Sequence, residues 1–174
     1  DLDIIIGGQW YENDGFGKGW QSHVFTSTWT EDDAKVETAD LNNDGRPDII
    51  LTPAELKGER SKVAWYEAPA DAKQANWTEH ILVPDIECVI HALAVGDFNN
   101  DGYPDLAVFR NAGNVQVSYD VYLFDPSRQK FILNKKLSSM PCVEAQLATK
   151  TVFSSCNHGS ACENWTETYS WSEN

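Results

Sequence analysis

One nine-residue acidic pattern, written twice, constrains this chain more than any other feature. Asp40, Asn42, Asp44, Gly45, Pro47 and Asp48 recur as Asp97, Asn99, Asp101, Gly102, Pro104 and Asp105, fifty-seven residues further on. Trp20-x-x-His23 recurs at the same offset as Trp77-x-x-His80, and Trp10-Tyr11-Glu12 returns as Trp65-Tyr66-Glu67, two residues short of it. A chain that repeats at this period builds one supersecondary unit several times, and each unit buries its apolar face against a neighbour.

The frame extends in both directions. Asp3-Ile4-Ile5-Ile6 matches Asp48-Ile49-Ile50-Leu51 and Asp105-Leu106-Ala107-Val108, so the chain opens on what reads as the last Asp of such a loop. Val121 to Phe124 takes the place of the Trp-Tyr-Glu strand in a third unit, and Lys130 to Leu133 that of the Trp-x-x-His strand. Ile49 to Thr52 and Leu106 to Phe109 are β-branched or apolar runs too short for helices. With Val63 to Tyr66, Thr78 to Val83 and Ala92 to Gly96 they predict strands separated by turns such as Asp125-Pro126-Ser127. No helical period stands out. Roughly four strands per 40 to 60 residues predict an all-β, β-propeller-like chain of about three to five small antiparallel blades, its completeness left open. Residues 1–118 read as the repeats, and 119–174 as a C-terminal blade with capping strands in the same domain.

The acidic pattern D-x-N-x-D-G-x-P-D has the chemistry of a hard-cation loop. Calcium takes six to eight oxygens, and alternate side chains on a tight loop supply them. Asp40, Asn42 and Asp44 hold positions one, three and five, the Arg46 carbonyl position seven, and Asp48 position nine. In the second copy these are Asp97, Asn99, Asp101, Tyr103 and Asp105. Gly at position six allows the sharp turn. An EF-hand would need Glu at position twelve, where Leu51 and Val108 stand in apolar runs. The expected cofactor is Ca²⁺, about two ions per chain. A bare Asx turn is the alternative, but clustered carboxylates with no cation repel one another.

Asp40-Leu41-Asn42-Asn43-Asp44-Gly45-Arg46-Pro47-Asp48-Ile49-Ile50 and its copy from Asp97 to Ala107 resemble the calcium loop of FG-GAP/VCBS repeats. The Trp-Tyr-Glu and Trp-x-x-His strands are similar to the bacterial exported version. The resemblance covers roughly residues 1 to 110 and implies a calcium-stabilised propeller. The tail, with Tyr122-Leu123-Phe124-Asp125, Lys150-Thr151-Val152 and Tyr169-Ser170-Trp171, is loosely similar to a bacterial group that includes a lysozyme-like effector's immunity protein.

A net charge of −14 argues against a nucleic-acid backbone as partner. No apolar run is long enough to insert in a membrane. The four cysteines, together with calcium, imply an extracytoplasmic, secreted or periplasmic setting, with Cys156–Cys162 and Cys88–Cys142 as the expected pairs. Cys156-x-His158-x-x-x-Cys162 is a poorer zinc motif than a disulfide-closed loop. The sequons at Asn76 and Asn164 matter only in a eukaryotic secreted protein. His23 and His80, at matched positions, read as structural residues filling the gap between blades. The chain has no nucleophile elbow, and its obvious carboxylates are committed to the loops. No catalytic residue is therefore assigned, and a non-enzymatic module for a protein or glycan ligand is expected. The alternatives are an inhibitor of a lysozyme-like cell-wall hydrolase and a polysaccharide-active enzyme.

Overall fold

The short apolar runs form strands, and turns at Gly, Asn and Asp fold them back on one another. The computed structural model describes residues 3–29, 34–54, 56–88, 90, 92–112, 117–146, 151–156 and 165–170. Among them are four small antiparallel sheets. The first contains β1 (Ile4–Ile6), β2 (Gln9–Asn13) and β3 (Trp20–Val24) in that order. The second runs β4 (Ala34–Ala39), β5 (Asp48–Pro53), β6 (Leu56–Glu67), β7 (Thr78–Cys88). The third contains β8 (Leu93–Gly96), β9 (Asp105–Ala112), β10 (Val117–Asp125) and β11 (Lys130–Leu133). The fourth contains β12 (Val143–Gln146), β13 (Thr151–Cys156) and β14 (Trp165–Ser170). This meets the expectation of an all-β chain with three to five small antiparallel sheets.

The chain divides into two compact units, Asp1–Asp40 with Gly45–His91, and Leu41–Asp44 with Ala92–Asn174. In the first, β5 is buried along its whole length, as its unbroken Ile-Ile-Leu run requires of a strand covered on both faces. Ile49, Leu51, Ala64, Tyr66 and Ala68 pack with Phe25, Trp29 and Trp77, and Ile5, Trp10, Ala34 and Val36 close the cluster. Phe25 meets Tyr66 edge-on at 5.2 Å and Trp77 at 5.5 Å. In the second unit Phe98, Ala107, Val121, Leu137, Met140, Val143 and Val152 form the core.

The structure departs from the sequence expectation in three places. A one-turn helix, α1 (Lys135–Ser138), starts at Asn134, whose side chain accepts from the Lys136 and Leu137 amides. Only Leu137 and Ser138 of it are buried, so no periodicity announces it. β6 and β7 extend well past the apolar Val63–Tyr66 and Thr78–Val83 runs, with register shifts between Leu56 and Ala64. Their polar extension pairs through the backbone and is tied by Arg60 Nε to Asp85 Oδ1 at 2.6 Å. Pro84 falls where the ladder skips, between Val83 and Ile86, the place where a residue without an N–H is tolerated. Finally, Cys88 is a buried thiol, which corrects the expected Cys88–Cys142 pair. Cys88 is packed at the inner end of β7, where it behaves as a small apolar side chain. Cys162 and the side chain of Cys156 lie outside the described residues, and with them the expected Cys156–Cys162 pair.

A buried tyrosine hydroxyl needs a partner, and Tyr66 finds one in Glu79. Glu79 Oε1 accepts from Tyr66 Oη at 2.8 Å, from Lys62 Nζ at 2.6 Å and from Thr28 Oγ1 at 2.6 Å. Burial pulls the Glu79 carboxyl up, but the bonds from Lys62, Thr28 and Tyr66 outweigh it and hold the group below its ordinary 4.5. Because the folded value lies below the unfolded one, this contribution is complete above about pH 4.5 and is lost as pH falls through the folded value. Glu79→Gln should therefore cost roughly 1–3 kcal/mol in urea unfolding at neutral pH and flatten the acid-side loss of stability. An acid-side slope as steep as that of the wild type would show that Glu79 carries no such share.

Candidate metal centre

The two acidic loops adopt the same backbone. Position four is left-handed in both, with φ of 58° at Asn43 and 59° at Asn100. Asn tolerates that region better than other non-glycine residues. Position six, at φ 87° in Gly45 and 91° in Gly102, lies where any side chain would be strained.

The hydrogen bonds match as well. Asp97 Oδ2 accepts from Gly102 N at 3.0 Å, and Asp40 Oδ2 from Gly45 N at 2.8 Å. Asn99 Oδ1 accepts from Asp101 N, and Asn42 Oδ1 from Asp44 N, both at 3.1 Å. The amide nitrogens of Asn99 and Asn42 donate to Asp101 Oδ2 and Asp44 Oδ2 at 2.7 and 3.2 Å. At position seven Arg46 Nε donates to the Ala68 carbonyl at 2.8 Å, whereas the Tyr103 ring packs on Phe124. Asn43 Nδ2 reaches the Gly102 carbonyl at 2.9 Å.

The ninth-position aspartates lie deeper than the rest. Asp48 and Asp105 are fully buried. Asp105 Oδ1 accepts from Phe124 N at 2.9 Å and Oδ2 from Phe98 N at 2.8 Å. Asp48 Oδ1 accepts from Ala68 N at 2.9 Å, and Asp3, at the matching position, from Asn13 N at 3.0 Å. Each of these residues ties the start of one strand to the far end of the strand pairing with it. The sequence reading gave Asp48 and Asp105 only a ligand role and missed this one. The signal was present, since Asp3 precedes a matching apolar run. Burial, with Asp101 and Asp97 adding repulsion, pushes the Asp105 carboxyl from 3.8 to about 7 despite its two backbone donors.

Among the described residues no three His, Cys, Asp or Glu side chains are gathered as a ready metal cage. Each loop carries a mixed series of oxygen donors instead, in the same order: Asp97, Asn99, Asp101, the Tyr103 carbonyl and Asp105, and likewise Asp40, Asn42, Asp44, the Arg46 carbonyl and Asp48. A carboxylate oxygen that accepts one N–H keeps a further lone pair, so Asp105 can hold its staple and face a cation. An all-oxygen donor set fits a hard divalent ion better than a thiolate- or imidazole-binding one.

The repeated histidines belong to individual sheets. His23 stacks on Trp10 at 4.4 Å and His80 on Trp65 at 4.0 Å. Each lies directly opposite that Trp on the adjacent strand. Nε2 of His23 is 3.1 Å from Glu12 Oε2, and that of His80 is 2.9 Å from Glu67 Oε2. They are structural, as expected, but they brace a sheet internally instead of filling a gap between blades. A separate pocket of about 430 Å³ in the first unit is walled by Trp10, Trp77, Ile5, Pro47 and Pro69, with Asp3 and Arg46 also lining it.

Asparagine at position 105 could accept only one of the two backbone donors. Asp105→Asn should lower stability by about 1–3 kcal/mol in urea unfolding without metal. Asp101→Asn, on the exposed turn, should stay within about 0.5 kcal/mol. Equal losses would show that burial of the ninth position is not what matters.

Residues 90–124 match the FG-GAP repeat and residues 1–51 the FG-GAP-like repeat. Each match contains one of the two acidic loops. No curated protein and no solved structure matches the chain. Residues 1–51 and 90–124 are therefore FG-GAP-type repeats, and the small antiparallel sheets are β-propeller-like.

Proposed function

We propose that this chain is an extracytoplasmic, calcium-binding propeller-type module whose task is to bind a protein or glycan ligand. The observation that carries the calcium reading is the identity of the two loops in backbone, hydrogen bonding and donor order. One ion would be held by Asp97, Asn99, Asp101, the Tyr103 carbonyl and Asp105. A second would be held by Asp40, Asn42, Asp44, the Arg46 carbonyl and Asp48. When bound, the ion supplies positive charge that offsets the repulsion among these carboxylates and locks the turn between strands. Open, partly exposed loops of this kind suit the high calcium concentrations outside cells.

Ligand binding is the reading supported by the FG-GAP repeats and by the pocket beside Arg46 and Pro47. Its volume falls within the range of small-ligand sites, and its walls combine aromatic and apolar groups with two charged ones. Indole faces and a few polar groups are suited to a sugar ring or to an apolar side chain of a protein. No helix among the described residues is long and apolar enough to cross a membrane. No observation in the geometry favours hydrolase inhibition or polysaccharide cleavage over this reading.

Calorimetry with calcium and with a chelator, alongside elemental analysis, tests the metal sites. About two ions per chain are expected, and at a hundredfold excess over Kd each adds about 2.7 kcal/mol of stability. Asp97→Asn with Asp101→Asn should remove one ion and its share of the rise in Tm. No bound metal and no calcium-dependent shift would reduce the loops to bare turns.

A further inference from the structure

We infer that Asn43 couples the two acidic loops, so that filling one with a cation raises the affinity of the other. The inference rests on the calcium reading above and goes beyond it by making the two sites interdependent. Asn43 is the fourth residue of the first loop, between Asn42 and Asp44, and is not itself one of the residues that would hold an ion. Its Nδ2 donates to the Gly102 carbonyl at 2.9 Å, across 59 residues of chain. A carbonyl oxygen can only accept, so the amide nitrogen is the group that faces it. The segment Leu41–Asp44 and the whole of the second loop belong to the same compact unit.

The peptide that Asn43 holds leads directly to a donor of the second loop. The Gly102 carbonyl and the Tyr103 N–H are the two polar groups of one peptide plane. Tyr103 N donates to Asp101 Oδ1 at 2.9 Å. Asn43 therefore grips one edge of that plane and the Asp101 carboxylate the other. A peptide turns as a rigid unit, so fixing its oxygen fixes its N–H, and with it the carboxylate that accepts from it. Gly102, at φ 91°, leaves this plane freer to rotate than any other residue would, so an outside contact has most effect here.

Asn43 is tied to its own loop through the backbone. It stands at φ 58°, and the next residue's amide, Asp44 N, donates to Asn42 Oδ1 at 3.1 Å. Asn42 and Asp44 are both candidate donors to an ion. Asn43 is exposed, so before the loop is filled, holding its side chain on Gly102 costs rotamer entropy. With the loop filled, Asn42 and Asp44 are held on either side of it, and the left-handed backbone between them is fixed. The ordering of the bridge is then met once for two sites, which is the condition for positive cooperativity. By linkage the effect is reciprocal. One neutral hydrogen bond supplies a factor of roughly 2 to 12, and an exposed one belongs to the lower part of that range.

Calorimetric titration of the metal-free chain with Ca²⁺ tests this. Asp40→Asn with Asp44→Asn leaves only the second loop able to bind, and Asp97→Asn with Asp101→Asn only the first. The product of the wild type's two association constants should exceed the product of these single-loop constants by roughly 2- to 5-fold. Asn43→Gly keeps the left-handed backbone and removes the amide. Measured in the same way, it should still bind two ions, keep the wild-type circular dichroism and bring that ratio to unity. Asn100→Gly, the same change at the matching position of the second loop, should keep the wild-type ratio. Independent or anticooperative binding of two ions by the wild type would overturn the inference. So would a ratio that survives Asn43→Gly, or one that vanishes equally in Asn100→Gly, and each of these leaves calcium binding itself intact. A wild type that binds no Ca²⁺ would overturn the calcium reading and this inference together.

Discussion

The rest of the fold depends on a buried carboxylate that closes each acidic loop. Asp48 and Asp105 stand at the start of a strand, and each accepts a backbone N–H from the far end of the next strand along the chain, while exposed Asp3 makes the matching bond to Asn13. Removing a carboxylate from water costs several kcal/mol unless hydrogen bonds replace the lost hydration. The position is therefore satisfied only when the hairpin closes in register. Loop and sheet thus become one constraint. The turn cannot change shape without releasing the staple, and the sheet cannot slip without exposing an unmatched carboxylate or amide. The raised Asp105 carboxyl shows that two backbone donors do not fully offset burial beside Asp97 and Asp101. That residual charge stress sits at the loop's own oxygen donors.

Much of the architecture was legible because it was repeated. β5, β9 and β11 lie where apolar runs placed them, whereas the repeated Trp-x-x-His spacing marked His23 and His80 as structural without showing that each stacks on a Trp of its own sheet. What escaped the sequence rests on single residues or on the backbone. α1 depends on the Asn134 cap and one buried Leu, too little for a periodic signal. The β6–β7 extension is polar and held by ladder bonds plus Arg60–Asp85, so hydrophobic patterning is silent there. The thiol of Cys88 could not be told from half of a disulfide by counting cysteines. The dual use of the ninth Asp was hidden for another reason: one residue type suits both a ligand and a backbone acceptor, and only burial separates the roles.

The repeats also diverge in a way that follows burial. Tyr66 is sealed in the core, and the residue opposite it is Glu79, which accepts its hydroxyl and is itself balanced by Lys62 and Thr28. Tyr11, at the matching position, is half-buried, and the residue opposite it is Ser22. A sealed phenol must have a partner inside the protein, whereas a half-exposed one can use water. Glu at position 22 would bring a carboxylate with no lysine at the matching place. Serine keeps that position neutral. The same repeat thus carries two versions of one position, a balanced charge opposite the sealed Tyr66 and a small neutral group opposite the half-buried Tyr11.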